Sequence, residues 1–161
     1  MVKEDMKLSK VLTREAFENA IIVNAAIGGS TNFVLHLQAI AGRIGVELNL
    51  EDFDKIGSII PLLVNLKPSG KFLMEDFFNA GGLPVVIKQL EKYLHSETIT
   101  VNGKSVKENY NNQVCYDKEV IASVDEPFQH NSGIAVLKGN LCIDGAIIKP
   151  SAASQELMKH V

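Results

Sequence analysis

Apolar and polar residues follow two rhythms along this chain. From Thr13 to Leu94 the apolar spacing is helical; further on it becomes strand-like. Thr13 stands where a helix cap belongs. The helix it predicts runs from Arg14 to about Ala26, with Phe17, Ala20, Ile21 and Asn24 on one face and Glu15 near its positive end. A second helix carries Val34, Leu37, Ala41 and Ile44 at helical spacing and ends at Gly45. Asn49 caps a third, with Phe53, Ile56 and Ile60 inward and Pro61 at its end. "FLMEDFFNA" predicts a short helix that stops at Gly81-Gly82. The clearest amphipathic stretch is "LPVVIKQLEKYL", residues 83–94. Leu83, Val86, Ile87, Leu90 and Leu94 face inward, Lys88, Gln89, Glu91 and Lys92 face water, and Pro84 suits the first turn.

The remaining segments are shorter. "LLVNL", residues 62–66, fits a buried strand or a loop, and "KPSGK" a loop. "ETITV" alternates as a strand does, and Asn102-Gly103 signals a turn. Ser105 and Glu108 have capping-box spacing, which predicts a helical turn. "ENYNNQVCYDKE" reads as a polar connection. After it, "GIAVLKG" and "GAIIKP" predict two strands with Asp144-Gly145 in the turn between them, and Ser154 is placed to cap a last helical segment. Two strands alone make a poor sheet, so the expectation is a chain cut from something longer.

Composition narrows the function. Apolar residues make up 46% of the chain, enough for a real core. A net charge of -3, no run of Lys and Arg, and few aromatics argue against a nucleic-acid partner. Cys115 and Cys142 match no metal spacing and read as free thiols in a reducing compartment. "MVKEDMKLSK" lacks the apolar stretch of a signal peptide, and the longest apolar run, "IIPLLV", is broken by Pro61. The expectation is a cytoplasmic protein with no membrane partner.

Most candidate chemistry fails on spacing. A phosphate-cradling P-loop needs Gly five residues before the Gly-Lys pair. Counting back from Gly70 reaches Asn65, and from Gly103 reaches Thr98. His36, His95, His130 and His160 are scattered, and His36 on the second helix reads first as a locally bonded side chain. The acidic pairs Glu51-Asp52, Glu75-Asp76 and Asp125-Glu126 do not share a helix face, so they are not ready acid/base dyads. One stretch remains, "NAAIGGSTNFVLHL". Gly28 and Gly29 permit a sharp turn, and Ser30, Thr31 and Asn32 offer hydroxyls, an amide and backbone N–H groups at a helix start. Such a terminus attracts a carboxylate or phosphate; equally, it is a glycine stop followed by a Ser or Thr cap.

Several segments together carry a resemblance. "GGSTN", "KPSGK…MED…AGG", "TVNGKSVKEN" and "LKGNL…DGA…KPS", in this order across nearly the whole chain, resemble the dihydroxy-acid dehydratase family, which includes phosphogluconate and sugar-acid (aldonate) dehydratases. "AGGLP" and "KPSAASQELMKH" look more like the sugar-acid branch than the branched-chain amino-acid branch. The resemblance implies an α/β fold: the helix-rich end of an α/β N-terminal domain over residues 1–112, then a connection and the first strands of a β-barrel-like C-terminal domain over 113–161. It implies hydro-lyase chemistry in the parent, turning 2,3-dihydroxy carboxylates into 2-keto acids with an iron–sulfur cluster and Mg²⁺. A homo-oligomer is implied too. The family's cluster cysteines, magnesium ligands and catalytic serine match no motif here. The chain is therefore expected to hold no catalytic or metal residue, to bind no cofactor and to be inactive alone, with Cys142 standing where relatives carry Ala. Gly28, Gly29, Ser30, Thr31 and Asn32 are the expected substrate-facing residues. The alternative reading is a non-catalytic α/β module that binds a small anion.

Overall fold

The computed structural model describes residues 1–153. After a short 3-10 turn at Val2–Glu4 come seven α-helices: α1 Leu8–Val11, α2 Arg14–Ala26, α3 Asn32–Arg43, α4 Leu50–Gly57, α5 Met74–Asn79, α6 Gly82–Gln89 and α7 Val106–Tyr110. Two antiparallel strands follow, β1 Ala135–Gly139 and β2 Cys142–Ile148. The fold is mixed α/β, and no closed barrel is present among the described residues. The helix expected after Ser154 lies outside them.

Local signals build the helices. Thr13 Oγ1 accepts the Ala16 N–H at 3.3 Å and starts α2. Asn49 and Asp52 exchange side-chain-to-backbone bonds of 2.9 and 3.2 Å across the first turn of α4. Ser105 and Glu108 do the same for α7, at 2.7 and 3.2 Å. Each box supplies acceptors for N–H groups that have no partner within the helix.

α2 is the spine of the molecule. Its Ile22, Ala25 and Ala26 enter one apolar cluster with Ile60, Leu63, Val64, Val86, Leu90 and Ile121. Its Phe17 and Ile21 enter a second with Val34, Leu37, Ala41, Phe53 and Ile134. The single inward face read from the sequence is thus two, and Asn24 is only half-buried. The buried Asn19 clamps the turn after α6: its amide accepts the His95 N–H at 2.8 Å and donates to His95 O at 3.1 Å and Thr98 Oγ1 at 3.0 Å. α4 stops at Gly57, short of Ile60, yet Ile60 is buried all the same.

Three sequence expectations are corrected. The helix expected over 83–94 ends at Gln89, with Leu83 exposed and Val85 taking the buried position. Leu90 caps it and reaches the core from a turn. "ETITV" forms no strand; one bridge, Ile99 to Ser105, is all that pairs. The hairpin turn falls at Asn140 and Leu141, because Gly139 pairs with Cys142. Between the pairs Leu137–Ala146 and Gly139–Cys142, β1 advances two residues and β2 four. Asp144 and Gly145 therefore sit in a bulge. Gly145 has φ +108°, and a Cβ there would stand 3.2 Å from Leu50 Cδ1 and 3.3 Å from Val136 Cγ1. The Asp-Gly pair lets β2 bend past α4 rather than reverse direction.

The "LLVNL" segment is extended but changes partner every two residues. Leu62 bridges Gln129, Val64 bridges Ile121 and Leu66 bridges Phe72. The Leu63 N–H donates to Ala26 O, and its carbonyl accepts from Ala122, both at 2.8 Å. Residues 119–134 wrap around this segment. The buried Ser132 hydroxyl lies 3.0 Å from Ala25 O and 3.1 Å from Ile60 O, and its N–H reaches Ile60 O. Beside it, Gly133 presses on Gly57: a Cβ on Gly133 would lie 2.3 Å from the Gly57 carbonyl carbon. Only hydrogen fits between these backbones.

Candidate functional site at the joint of two helices

The stretch from Ile27 to Asn32 joins α2 to α3. Gly28 takes φ +62°, and a Cβ there would meet Leu62 Cδ1 at 3.0 Å. A Cβ on Gly29 would meet Asn24 Oδ1 at 1.9 Å. Backbone conformation demands glycine at 28; at 29 a side chain would require Asn24 to move. Gly28 and Gly29 donate back to Ala25 O and Asn24 O at 3.1 and 2.9 Å, closing α2.

The start of α3 uses its own donors. Ser30 Oγ accepts the Asn32 N–H at 3.2 Å. Phe33 and Val34 donate to Ser30 O and Thr31 O, both at 3.1 Å. Thr31 occupies the cap position without a side-chain bond. Ser30 and Asn32 are exposed, while Gly28, Gly29 and Thr31 are half-buried. Of the N–H groups read from the sequence as open to an anion, those of Ser30, Thr31 and Asn32, the one at Asn32 has an internal acceptor, as do those of Phe33 and Val34 that follow. The capping role is on view in Ser30.

What approaches the joint is a residue that motif spacing did not single out. Lys149, just past β2, donates through Nζ to Gly28 O and, at 3.2 Å, to Ser69 Oγ of the Lys67–Lys71 loop. Burial pushes the Lys149 ammonium below the ordinary lysine range. The three segments quoted as "GGSTN", "KPSGK" and "KPS" meet here. Beside them lies a cavity of about 140 Å³ lined by Gly28, Leu62, Asn65, Ser69, Gly70 and Phe128 among others, none of them acidic; Lys149 is not in the lining but bonds to two residues that are, Gly28 and Ser69. Asn65 shapes the loop, its Oδ1 accepting the Lys71 N–H at 3.0 Å. Nothing in local sequence pairs Lys149 with Gly28; the one available hint is that both lie in the segments that carry the family resemblance.

The other candidates lie apart. His36 is exposed on α3. Asp76 caps α5 by accepting the Leu73 N–H at 2.8 Å. His95 Nε2 is 2.6 Å from Glu18 Oε2, and Glu18 also takes Arg14 Nε at 2.8 Å. Arg14 grips both oxygens of Asp52, at 2.6 and 3.1 Å. This bond from Arg14 holds the Asp52 carboxyl below its usual range, and the guanidinium is raised in return. The network ties α2 to α4 and to the turn after α6.

Comparison with known proteins decides the family. Residues 1–109 match the family described as "Dihydroxy-acid/6-phosphogluconate dehydratase N-terminal", and residues 119–161 match its C-terminal counterpart. The chain belongs to the dihydroxy-acid/6-phosphogluconate dehydratase family. It is 55% identical to "L-arabonate dehydratase" of Azospirillum brasilense and 52% identical to "L-arabinonate dehydratase" of Rhizobium leguminosarum bv. trifolii, in each case over 99% of this chain and 28% of the relative. It is 48% identical to "Dihydroxy-acid dehydratase" of Acetivibrio thermocellus, over 99% of this chain and 29% of that one. The chain thus spans less than a third of the length of these curated relatives.

Membership raises the question of an iron–sulfur cluster and Mg²⁺. The described residues hold their possible ligands apart. No three His, Cys, Asp or Glu side chains among them converge on a point. Cys115 Sγ lies 3.4 Å from both Asp117 O and Ile121 O, and Cys142 Sγ lies 3.0 Å from Gly145 O. Each thiol faces backbone carbonyls. No described helix is long and apolar enough to cross a membrane.

Proposed function

We propose that this chain is scaffold within a hydro-lyase of the family, one that removes water from a 2,3-dihydroxy carboxylate to give a 2-keto acid. One observation carries the reading: both family halves match, in order, along a single chain. The sugar-acid branch is favoured over the branched-chain branch. Support comes from the motif pattern and from two relatives, at 52 and 55% identity, whose names specify arabinonate. The loss of a poor leaving group next to a weakly acidic C–H needs fixed positive charge. In this reading the iron–sulfur cluster and Mg²⁺ are held by segments outside this chain, and Gly28 to Asn32 contribute a substrate-facing or domain-packing loop. The parent is a cytoplasmic homo-oligomer with a dihydroxy acid as its small-molecule partner.

Turnover tests this. The 161-residue chain, reconstituted with iron, sulfide and Mg²⁺, should form no 2-keto acid from L-arabinonate or from a branched 2,3-dihydroxy acid. The enzyme encoded by the whole reading frame should form it, with the larger kcat/KM on L-arabinonate. In that enzyme a Ser30→Ala, Thr31→Ala double change should raise KM or lower kcat. Turnover by the short chain, or an inactive whole enzyme, overturns the proposal.

A further inference from the structure

Lys149 is a cation held by neutral oxygens. Its Nζ bonds to a carbonyl, Gly28 O, and a hydroxyl, Ser69 Oγ. The side-chain ion pairs of the described residues join Arg14 to Glu18 and Asp52, Lys88 to Glu91, His95 to Glu18 and Lys138 to Glu51, and leave Lys149 out. The adjoining cavity of about 140 Å³ has no acidic residue in its lining. It is far larger than the ~10–15 Å³ that one water requires. Ser69 Oγ accepts from Lys149 and so keeps its own proton to donate. An ammonium with one donor to spare and a hydroxyl proton beside it are what one end of a carboxylate needs.

We propose that Lys149 Nζ and Ser69 Oγ form a binding site for a small organic carboxylate at the edge of this cavity, which Ser69 lines. The site differs from the helix start of α3, whose amides at Asn32, Phe33 and Val34 already have acceptors. A bound carboxylate supplies the half-buried ammonium with a counter-charge that no ion pair among the described residues gives it, so binding and the protonated state of Lys149 favour each other. It also links the strand end that carries Lys149 to the α2–α3 joint, through a residue 121 positions away. The choice of carboxylate over other anions rests on the dehydratase reading; the cation, hydroxyl and cavity do not.

The test is a titration of the ¹⁵N-labelled 161-residue chain with acetate, glycerate and inorganic phosphate at pH 7, followed through backbone amide shifts. Acetate and glycerate should move the Gly28, Ser69 and Gly70 resonances saturably, more weakly as NaCl is raised. Lys149→Met should raise Kd about tenfold or more and Lys149→Arg much less, with Ser69→Ala between them. Melting curves establish that each variant is folded. Should Lys149→Met not fold, Ser69→Ala and the loss of binding as Lys149 deprotonates at high pH read the same site. Silent resonances at Gly28 and Ser69, or undiminished binding by folded Lys149→Met, overturn the site. Tighter binding of phosphate than of both carboxylates overturns the ligand class and leaves the dehydratase reading untouched. A whole enzyme without turnover would sink that reading and leave these shifts unchanged.

Discussion

The helical body and the hairpin are built on opposite terms. In the helical body, Leu63, Val86 and Leu90 are fully enclosed, and two apolar clusters share α2 between them. In the hairpin, Leu141 is 99% exposed and Ile143 79%, and what holds β1 and β2 in place is borrowed from elsewhere. Val136 N–H donates to Asp54 Oδ1 at 3.1 Å, Lys138 pairs with Glu51, and Ile147 leans on the second cluster. The helices carry their stabilisation within a few residues of each start and in faces that meet each other. The strands carry pattern but little enclosure, since a two-stranded sheet has no face of its own to bury.

Substitutions that strike one region and spare the other sharpen this contrast. The largest loss should come from the core: Phe53→Ala should cost about 3–5 kcal/mol and Leu63→Ala about 2–5 kcal/mol in urea unfolding. Losses below about 1 kcal/mol would mean that the clusters are not closed as described. Next is the seam between the regions. Gly133→Ala forces a methyl against Gly57, and a loss of about 1–3 kcal/mol is expected, with exchange protection falling at Ile134 and Val136. Equal protection in wild type and variant would show that the seam yields.

Smaller is the cap of α7, where Ser105→Ala should cost about 1 kcal/mol. Acid should act through Asp52. Its folded carboxyl titrates below the unfolded value of about 3.9, so its stabilisation is present above that pH and is lost as pH falls through the folded value. Melting temperature should therefore drop more steeply below about pH 4 in wild type than in Asp52→Asn. Parallel curves would remove Arg14–Asp52 as a stabilising pair. Smallest of all, Leu141→Ser should change stability by less than about 0.5 kcal/mol. A larger loss would show that the hairpin tip is covered in solution.

The two regions also differ in how far their sequence could be read. Thr13, Asn49 and Ser105 announce helices because each cap and its partner lie within three residues, and geometry over that span is fixed by the helix itself. The α2–α3 joint was legible for the same reason: two glycines and a hydroxyl residue have few other uses between helical runs. The candidate site was legible only in half. "GGSTN" drew attention by composition, whereas Lys149 was quoted only as part of the "KPS" pattern, with no role of its own. Nothing within twenty residues of it mentions Gly28 or Ser69.

The sequence by itself determined the capped starts of α2, α4 and α7, the mixed α/β class and, through ordered motifs, the family. Tertiary structure alone decided where α6 stops, that "ETITV" pairs through one bridge, and that Asp144-Gly145 bulges past Leu50 instead of turning. It also decided that Lys149 meets the joint across 121 residues. The division follows range: a cap or a helical period is settled by neighbours in the chain, while strand register, bulges and converging loops depend on surfaces that exist only once distant segments have packed.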